Sequence, residues 1–467
     1  MFEKLLKWLR GLLNQMFDDA VGSPDIVISS KMENALPLWV AIYECGGPWC
    51  SAEKNIHSLC LGPAIAQEFS RLVTMESEIT CTGSARADWL MQQARPFLDA
   101  LPATVETACA LGGCAFKPYV QGDRIVVDVV QEDCFFPTTF DTSGHMTGAI
   151  FTEQIKRRNA IYTRLEHHEF KDGAETITNK AFVSATSAQL GREIPLTEVP
   201  EWADISPDAK IDNLARPLFA YFRVPTANRV DRHSPLGASV YALAVDTIRD
   251  ADVQYGSLLW EYRGGELAID VDAAAIRQDP DGALRMEERD RRLYRHLLNG
   301  NLNMWNTFAP ALRDASYLNG LDAILRRIEF QCGLAYGTIS NPQSVEKTAE
   351  EVRASKQRSY ATVRLIQQAL QDAIEGLFYA MDVYATLYGL APAGAYELAF
   401  DWDDSIVNDP AARKQQFWQY VEAGRFPFER YLVEFEGYSE EEAAQIAAQA
   451  AAGTDTLTFG SLPPGDA

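Results

Sequence analysis

Long apolar runs are missing from the chain: nothing approaches the roughly 18 apolar residues of a membrane-spanning helix, so an integral membrane protein is not expected. Positive charge is in deficit. Lys and Arg number 42 against 65 Asp and Glu, a formal charge of −23. A protein that grips nucleic acid tightly needs a basic face to neutralise phosphates, so a repressor or a clamping nuclease is disfavoured, while a conduit past which DNA slides is not. No G-x4-G-K-[ST] occurs, which excludes a P-loop ATPase, and G-x-S-x-G, H-E-x-x-H and a strand-borne G-x-G-x-x-G are also missing. The 6 histidines are scattered. His167 and His168 are adjacent, so on a strand they would face opposite ways and could not share one metal. None of the 8 cysteines stands in a C-x2-C pair. Cys45/Cys50 and Cys109/Cys114 are C-x4-C pairs with no nearby histidine, and reduced thiols in a cytosolic fold are the expectation. The opening Met1-Phe-Glu-Lys-Leu-Leu-Lys is interrupted by charge too often for a signal peptide, and synthesis in the cytoplasm is expected.

What is present fits a folded chain of two or three domains: 467 residues, 47% hydrophobic and 23% charged. Residues 2–17 carry Phe2, Leu5, Leu6, Leu9, Leu12, Leu13 and Met16 on one helical face and Lys4, Lys7 and Arg10 on another, as a membrane-surface helix or a docked terminal helix would. Residues 30–112 read as mostly helical. From Phe116 to Phe170, short β-branched and aromatic runs are punctuated by Gln121-Gly-Asp and Thr142-Ser-Gly turns, which predicts an antiparallel sheet. The fold class expected is α+β, mainly helical.

Ser234-Pro235 reads as a helix start, Ser at the N-cap and Pro at the first position. The apolar spacing from Val240 to Leu259 carries that helix to about Tyr262, and Gly264-Gly265 stops it. Within 263–315, Glu266 to Asp272 and Leu302 to Phe308 alternate like strands, and Glu287 to Leu298 between them reads as a short Arg-rich helix. Helical spacing returns from Ser316 to Leu334 through Leu321, Ile324, Leu325 and Ile328. The pattern is a helical hairpin with a small cap at its tip. Arg285, Arg289, Arg291, Arg292 and Arg295 on the cap read as either a solvated face or a docking surface for an acidic protein or for DNA phosphate. A loop follows, and then Thr348-Ala-Glu-Glu351, a capping box, opens a long helix with Gly376 as its expected bend point. Asp401, Asp403 and Asp404 read as a helix-capping loop, with a divalent-metal site as the alternative. Helical patterns at 409–423 and 439–452 precede a Gly/Pro-rich tail expected to be disordered.

Four stretches, in this order and spacing, resemble portal proteins of long-tailed bacteriophages. They are Ala108-Cys-Ala-Leu-Gly-Gly-Cys-Ala-Phe-Lys-Pro-Tyr with Asp133-Cys-Phe-Phe-Pro; Ser234-Pro-Leu-Gly-Ala-Ser leading to Asp246, Asp252, Tyr255 and Glu261; Thr338-Ile-Ser through Lys347-Thr-Ala-Glu-Glu-Val; and Trp402-Asp-Asp-Ser-Ile with Tyr438-Ser-Glu-Glu-Glu-Ala. Where the family often has Thr-Ala-Thr-Glu-Val, this chain has Glu350 for the second Thr. The resemblance implies a ring subunit, in about twelve copies, with a wing over 1–234, stem helices at 235–262 and 316–334, and a clip over 263–315. It further implies a tunnel loop at 335–346, a long wing helix over 347–392, a crown over 393–452 and a tail over 453–467. It implies a virion protein at a capsid vertex, not an enzyme, with no cofactor, metal or membrane. Its partners would be copies of itself, double-stranded DNA in the channel, the terminase large subunit, a neck or head-completion adaptor, and major capsid and scaffolding proteins. Arg326, Arg327, Asn341, Gln343, Ser344 and Lys347 are the candidates for the channel and tunnel loop. Two readings compete: a metal-dependent hydrolase using Asp401–Asp404, and a membrane-associated assembly protein acting through 2–17.

Overall fold

Ser29 sets the first helix of the computed structural model, its hydroxyl accepting from the Met32 amide at 3.3 Å. The structure describes residues 27–75, 77–186, 191–266, 268–272, 294–297, 305–308, 310–341, 349–402 and 410–454. The amphipathic 2–17 segment, Arg285, Arg289, Arg291, Arg292, Gln343, Ser344, Lys347, Thr348, Asp403, Asp404 and the tail beyond Thr454 lie outside them. The fold is mixed α/β, in one unit to Trp402 and a second from Asp403.

In the first unit, α1 (Ser30–Tyr43), α2 (Leu61–Thr74), α3 (Ala85–Asp99) and α4 (Leu101–Leu111) bury one stripe each, including Met32, Leu36 and Trp39 on α1 and Ile65, Phe69 and Val73 on α2. Between α2 and α3 runs β1 (Glu78–Thr82), which the sequence reading had passed over as helix. Gly112 ends α4 with φ 109°, and a Cβ on Gly237 would stand 1.9 Å from the Gly112 carbonyl oxygen. Two backbones therefore touch there, which only glycine at both positions permits.

β2 (Gly113–Gln121) pairs on one side with β3 (Arg124–Gln131) and on the other with β10 (Ala220–Arg223). A second, antiparallel sheet runs β4 (Phe135–Phe140), β5 (Met146–Arg157), β6 (Ala160–Lys171), β7 (Ala174–Ser184) and β8 (Arg192–Ile194), with β9 (Asp208–Asp212) also paired to β7. Asp172 and Gly173, both at positive φ, make the tight turn from β6 to β7. His167 and His168 face opposite sides of β6, as their adjacency predicts. His168 is buried with Nδ1 2.5 Å from Glu175 Oε1 and Nε2 3.0 Å from Glu166 Oε1. Glu166 also holds Lys117 at 2.6 Å and Arg164 at 3.2 Å, and Glu175 accepts from the Leu218 amide. No group of three metal-ligating side chains exists among the described residues.

The helix predicted from Ser234 begins eleven residues later: α5 is Val245–Gly264. Residues 234–244 are spent in turns because their backbone is engaged elsewhere. The Gly237 amide reaches the Tyr221 hydroxyl, the Val240 amide the Cys109 carbonyl, and the buried Tyr241 hydroxyl the Trp39 carbonyl. A second correction concerns Arg295. It does not sit on a helix but on β12 (Tyr294–Leu297), parallel to β11 (Ala268–Asp272), whose other edge pairs antiparallel with β13 (Trp305–Phe308). A strand in the middle of a sheet must pair both edges, and that demand outweighs the local helix signal. A third concerns the thiols, since Cys45 and Cys60 are joined in a disulfide. Their spacing matches no motif, and their proximity is created by the turn between α1 and α2.

After α6 (Asp314–Cys332), the long helix α7 (Ala349–Leu387) lies against β2, β3 and β10. Its expected stripe, Val363, Ile366, Leu370, Ile374, Leu377, Met381 and Tyr384, is buried. Gly376, read as a bend point, lies inside one unbroken helix. A Cβ there would stand 3.1 Å from that of Ala220, so the glycine admits β10. β14 (Glu397–Asp401) closes the unit by pairing antiparallel with β1.

The second unit comprises α8 (Pro410–Glu422), α9 (Phe428–Glu436) and α10 (Glu440–Thr454). Phe417 packs against Phe426 and Phe435, ring centroids 5.0 and 4.9 Å away. Ser439 and Glu442 form a reciprocal cap on α10, serine hydroxyl to glutamate amide at 3.3 Å and glutamate carboxylate to serine amide at 3.2 Å. Ser439→Ala is expected to cost about 1 kcal/mol, read as a lower urea midpoint for this unit's unfolding.

Candidate functional site: a helical hairpin and its following loop

The predicted hairpin is present. α5 and α6 pack on each other, and a bidentate ion pair fastens them at the tip: Arg313 Nη2 and Nε stand 2.7 and 3.0 Å from the two Glu261 oxygens, and the Arg313 amide adds a third bond at 3.1 Å. The guanidinium holds the Glu261 carboxyl below its usual range. A Cβ on Gly265 would meet Leu312 Cδ2 at 2.1 Å, so the glycine after α5 lets the returning chain close on it.

One face of α5 is committed inside the subunit: Ile248, Ala251, Asp252, Gly256 and Leu258 are buried. The Asp252 carboxylate accepts from Trp49 Nε1 at 2.8 Å and the Leu59 amide at 2.7 Å. Burial raises its pKa, against the pull of those two donors. The other face is not covered. Trp260 is 66% exposed, and Val253, Tyr262, Leu312, Leu318 and Phe330 also stand out to solvent. Phe330 lies between the Arg358 and Arg327 guanidinium groups, 4.2 and 5.6 Å from its ring centre.

The loop after α6 is organised by one residue that sequence reasoning missed. Glu329 is fully buried, and its Oε1 accepts from the amides of Ile339 at 2.6 Å, Ser340 at 2.8 Å and Gly337 at 3.1 Å. Its Oε2 accepts from the Ser340 hydroxyl at 2.9 Å. A carboxylate that collects three backbone N–H groups fixes a loop that has no regular structure of its own. Gly333 and Gly337, at φ 80° and 87°, supply the left-handed turns that bring those amides round. The Ser359 hydroxyl on α7 accepts from the Ala335 amide at 2.7 Å. No local signal marks Glu329: Leu325 to Cys332 reads Leu-Arg-Arg-Ile-Glu-Phe-Gln-Cys, where an acid is ordinary, and its partners come from the loop beyond the helix.

Of the residues expected to line a channel, Arg326 and Asn341 come together on Asp322: the guanidinium is 2.9 Å from one oxygen, and the Asn341 amide 2.9 Å from the other. Arg327 is exposed one residue along, over Phe330. Gln343, Ser344, Lys347 and the four clip arginines before Arg295 have no described position to compare.

No helix among the described residues is long and apolar enough to cross a membrane. No family model matches the chain, and no curated protein matches it. Among solved structures, 45 chains match. One, from "Neck of native GTA particle computed with C12 symmetry", is 15% identical over 80% of this chain and 89% of its own, with a TM-score of 0.41.

Proposed function

We propose that the chain is the ring subunit of a tailed-phage portal, a passive conduit at one capsid vertex through which double-stranded DNA enters and leaves. In this reading it performs no catalysis. Its outer end docks the terminase large subunit and later a neck or head-completion adaptor, and its body meets major capsid and scaffolding proteins. The observation that carries the proposal is the hairpin: α5 and α6 spend one face on their own subunit and leave Trp260, Val253, Leu312 and Leu318 outside. An exposed apolar surface of this kind on a soluble protein marks a contact with another molecule. Copies arranged head to tail around a closed ring each cover the next one's exposed face. The acidity suits the same arrangement, because about twelve chains of −23 each would ring a passage with on the order of −280 charges and repel phosphate. Arg326, Arg327 and Asn341 then interrupt that field near the loop held by Glu329.

Mass photometry of the purified protein tests the proposal. A closed assembly many times the 51.9 kDa chain mass is expected. A species that stays at chain mass at micromolar concentration and physiological salt overturns it. Trp260→Asp is expected to shift assemblies toward single chains, because a buried interface tryptophan is worth about 2–4 kcal/mol per contact and the loss recurs at every subunit boundary. Far-ultraviolet circular dichroism should be unchanged, since Trp260 packs on little in its own chain.

A further inference from the structure

The 45–60 segment is built almost entirely from its edges. Of its residues only Gly47 is buried, while Ala52, Glu53, Lys54 and His57 are exposed. It has a single two-way backbone bridge, between Ser51 and Ile56. Two things hold it. The disulfide joins Cys45 to Cys60 across 15 residues, Cα atoms 4.8 Å apart. The other hold is α5: Trp49 and Leu59 donate to Asp252, and Asn55 Nδ2 donates to the Gly256 carbonyl at 3.0 Å. Arg263 at the end of α5 donates to Asn55 Oδ1. A Cβ on Gly256 would stand 2.4 Å from the Asn55 carbonyl oxygen, so the loop backbone lies flat on the helix.

Cys45 and Cys60 themselves sit at φ 57° and 52°, the left-handed region that side chains other than Gly and Asn enter reluctantly. A loop anchored in the core only through Trp49 and Leu59, with unfavourable backbone at both ends, loses its main constraint once the bond between those ends is cut. Both residues are half-buried rather than enclosed in the core. Cys109, Cys114 and Cys332, by contrast, are buried, and burial pushes their thiols up, Cys109 to about 12, which leaves them inert.

From this placement we infer that Cys45 and Cys60 form a redox-operated clamp on the hairpin, closed when oxidised and released when reduced. The chemistry is thiol–disulfide exchange with a low-molecular-weight disulfide. The thiolate of one cysteine attacks the external disulfide and expels one thiol. The thiolate of the other then attacks the mixed disulfide at the protein sulfur and expels the second. Two protons and two electrons leave the protein, and one external disulfide becomes two thiols. On the reading proposed above, the clamp is open in a reducing cytoplasm while subunits assemble and closes once particles leave the cell. The clamp itself acts within one chain and does not depend on ring formation.

The test uses the full-length protein, treated either with glutathione disulfide or with a phosphine reductant. Peptide-resolved alkylation reads the thiols, and amide hydrogen exchange reads α5. Oxidation should protect Cys45 and Cys60 from alkylation and slow exchange around 250–258 by about tenfold or more relative to the reduced protein. The Cys45→Ser/Cys60→Ser variant should exchange like the reduced protein in both treatments, and Asp252→Asn should shrink the difference while leaving the bond intact. Cysteines that stay open to alkylation after oxidation, or α5 exchange indifferent to redox state in the wild-type chain, overturn the inference. A redox difference that persists in full in Asp252→Asn overturns the route through Asp252. A single-chain mass in photometry with redox-dependent exchange would refute the ring and leave the clamp standing.

Discussion

Glu329→Ala is expected to release the 335–341 loop and to destabilise the first unit by about 3–5 kcal/mol, the range for removing one partner from a buried charged hydrogen-bond set. The alanine leaves the amides of Gly337, Ile339 and Ser340 and the Ser340 hydroxyl without their acceptor. Glu329→Gln should be milder, about 1–2 kcal/mol, because the amide oxygen keeps the Oε1 position and the Ser340 hydroxyl can accept from the new NH2. Urea unfolding of both variants, with hydrogen exchange at 337–340, reads the difference. Equal stabilities for wild type and Glu329→Ala would show that the loop is held by Ser359 and Asp322 instead.

Much of the scaffold around that loop was legible in advance because local periodicity and tertiary demand agree there. The stripe from Val363 to Tyr384 on α7 is buried as its spacing indicates, and the β-branched and aromatic runs of β5 and β6 form strands, whereas on the hairpin Ile248, Ala251 and Ile328 are buried but Leu321, Ile324 and Leu325 are only half-buried and Leu243 is exposed. The failures share one cause, contacts between residues distant in sequence. β1 is a five-residue strand whose strand partner among the described residues is β14, more than three hundred residues on. Its β-branched Ile79, Thr80 and Thr82 before Gly83-Ser84 are a strand signal, but one too short to stand out between two helices. The Ser234-Pro235 helix signal is sound as a local preference, but Gly237 and Tyr241 are claimed by the Gly112 turn and the Trp39 carbonyl, so the helix waits until Val245. Cys45 and Cys60 are brought together only by the reversal between α1 and α2. The site divides in the same way. Arg326 and Asn341, picked from position, meet on Asp322, whereas Glu329 could not be picked, because its role rests on amides that a glycine-rich loop folds back to it.

The first unit is expected to lose stability as pH rises from 6.5 to 8.5. His168 drives this. Burial alone would lower its pKa, but its hydrogen bonds to Glu166 and Glu175 outweigh burial and raise it to about 9. A folded-state pKa above the unfolded value near 6.5 means that the stabilisation is complete below that pH and is lost as pH climbs through 9. Glu132 pulls the same way. Burial raises its carboxyl to about 8, only partly relieved by the Tyr221 hydroxyl at 2.9 Å, so the folded chain keeps a proton that the unfolded chain has released from about pH 4.5 upward. At about 1.4 kcal/mol per pH unit for each proton, the two together give a fall on the order of 3 kcal/mol across the window. His167 works on the other side. Burial, with the charge of His168 next, lowers it to about 4, so its neutral folded form is penalised only as pH drops below 6.5. The histidine pair, one on each face of β6, therefore sets opposite slopes on either side of pH 6.5. Urea unfolding at half-unit steps from pH 6 to 8.5 measures the alkaline arm, and His168→Gln should remove about half of it, leaving the share of Glu132. A wild-type stability that is level or rising between pH 6.5 and 8.5 would mean that neither group holds its proton in the fold: His168 neutral, with Glu166 satisfied by Lys117 and Arg164 alone, and Glu132 ionised.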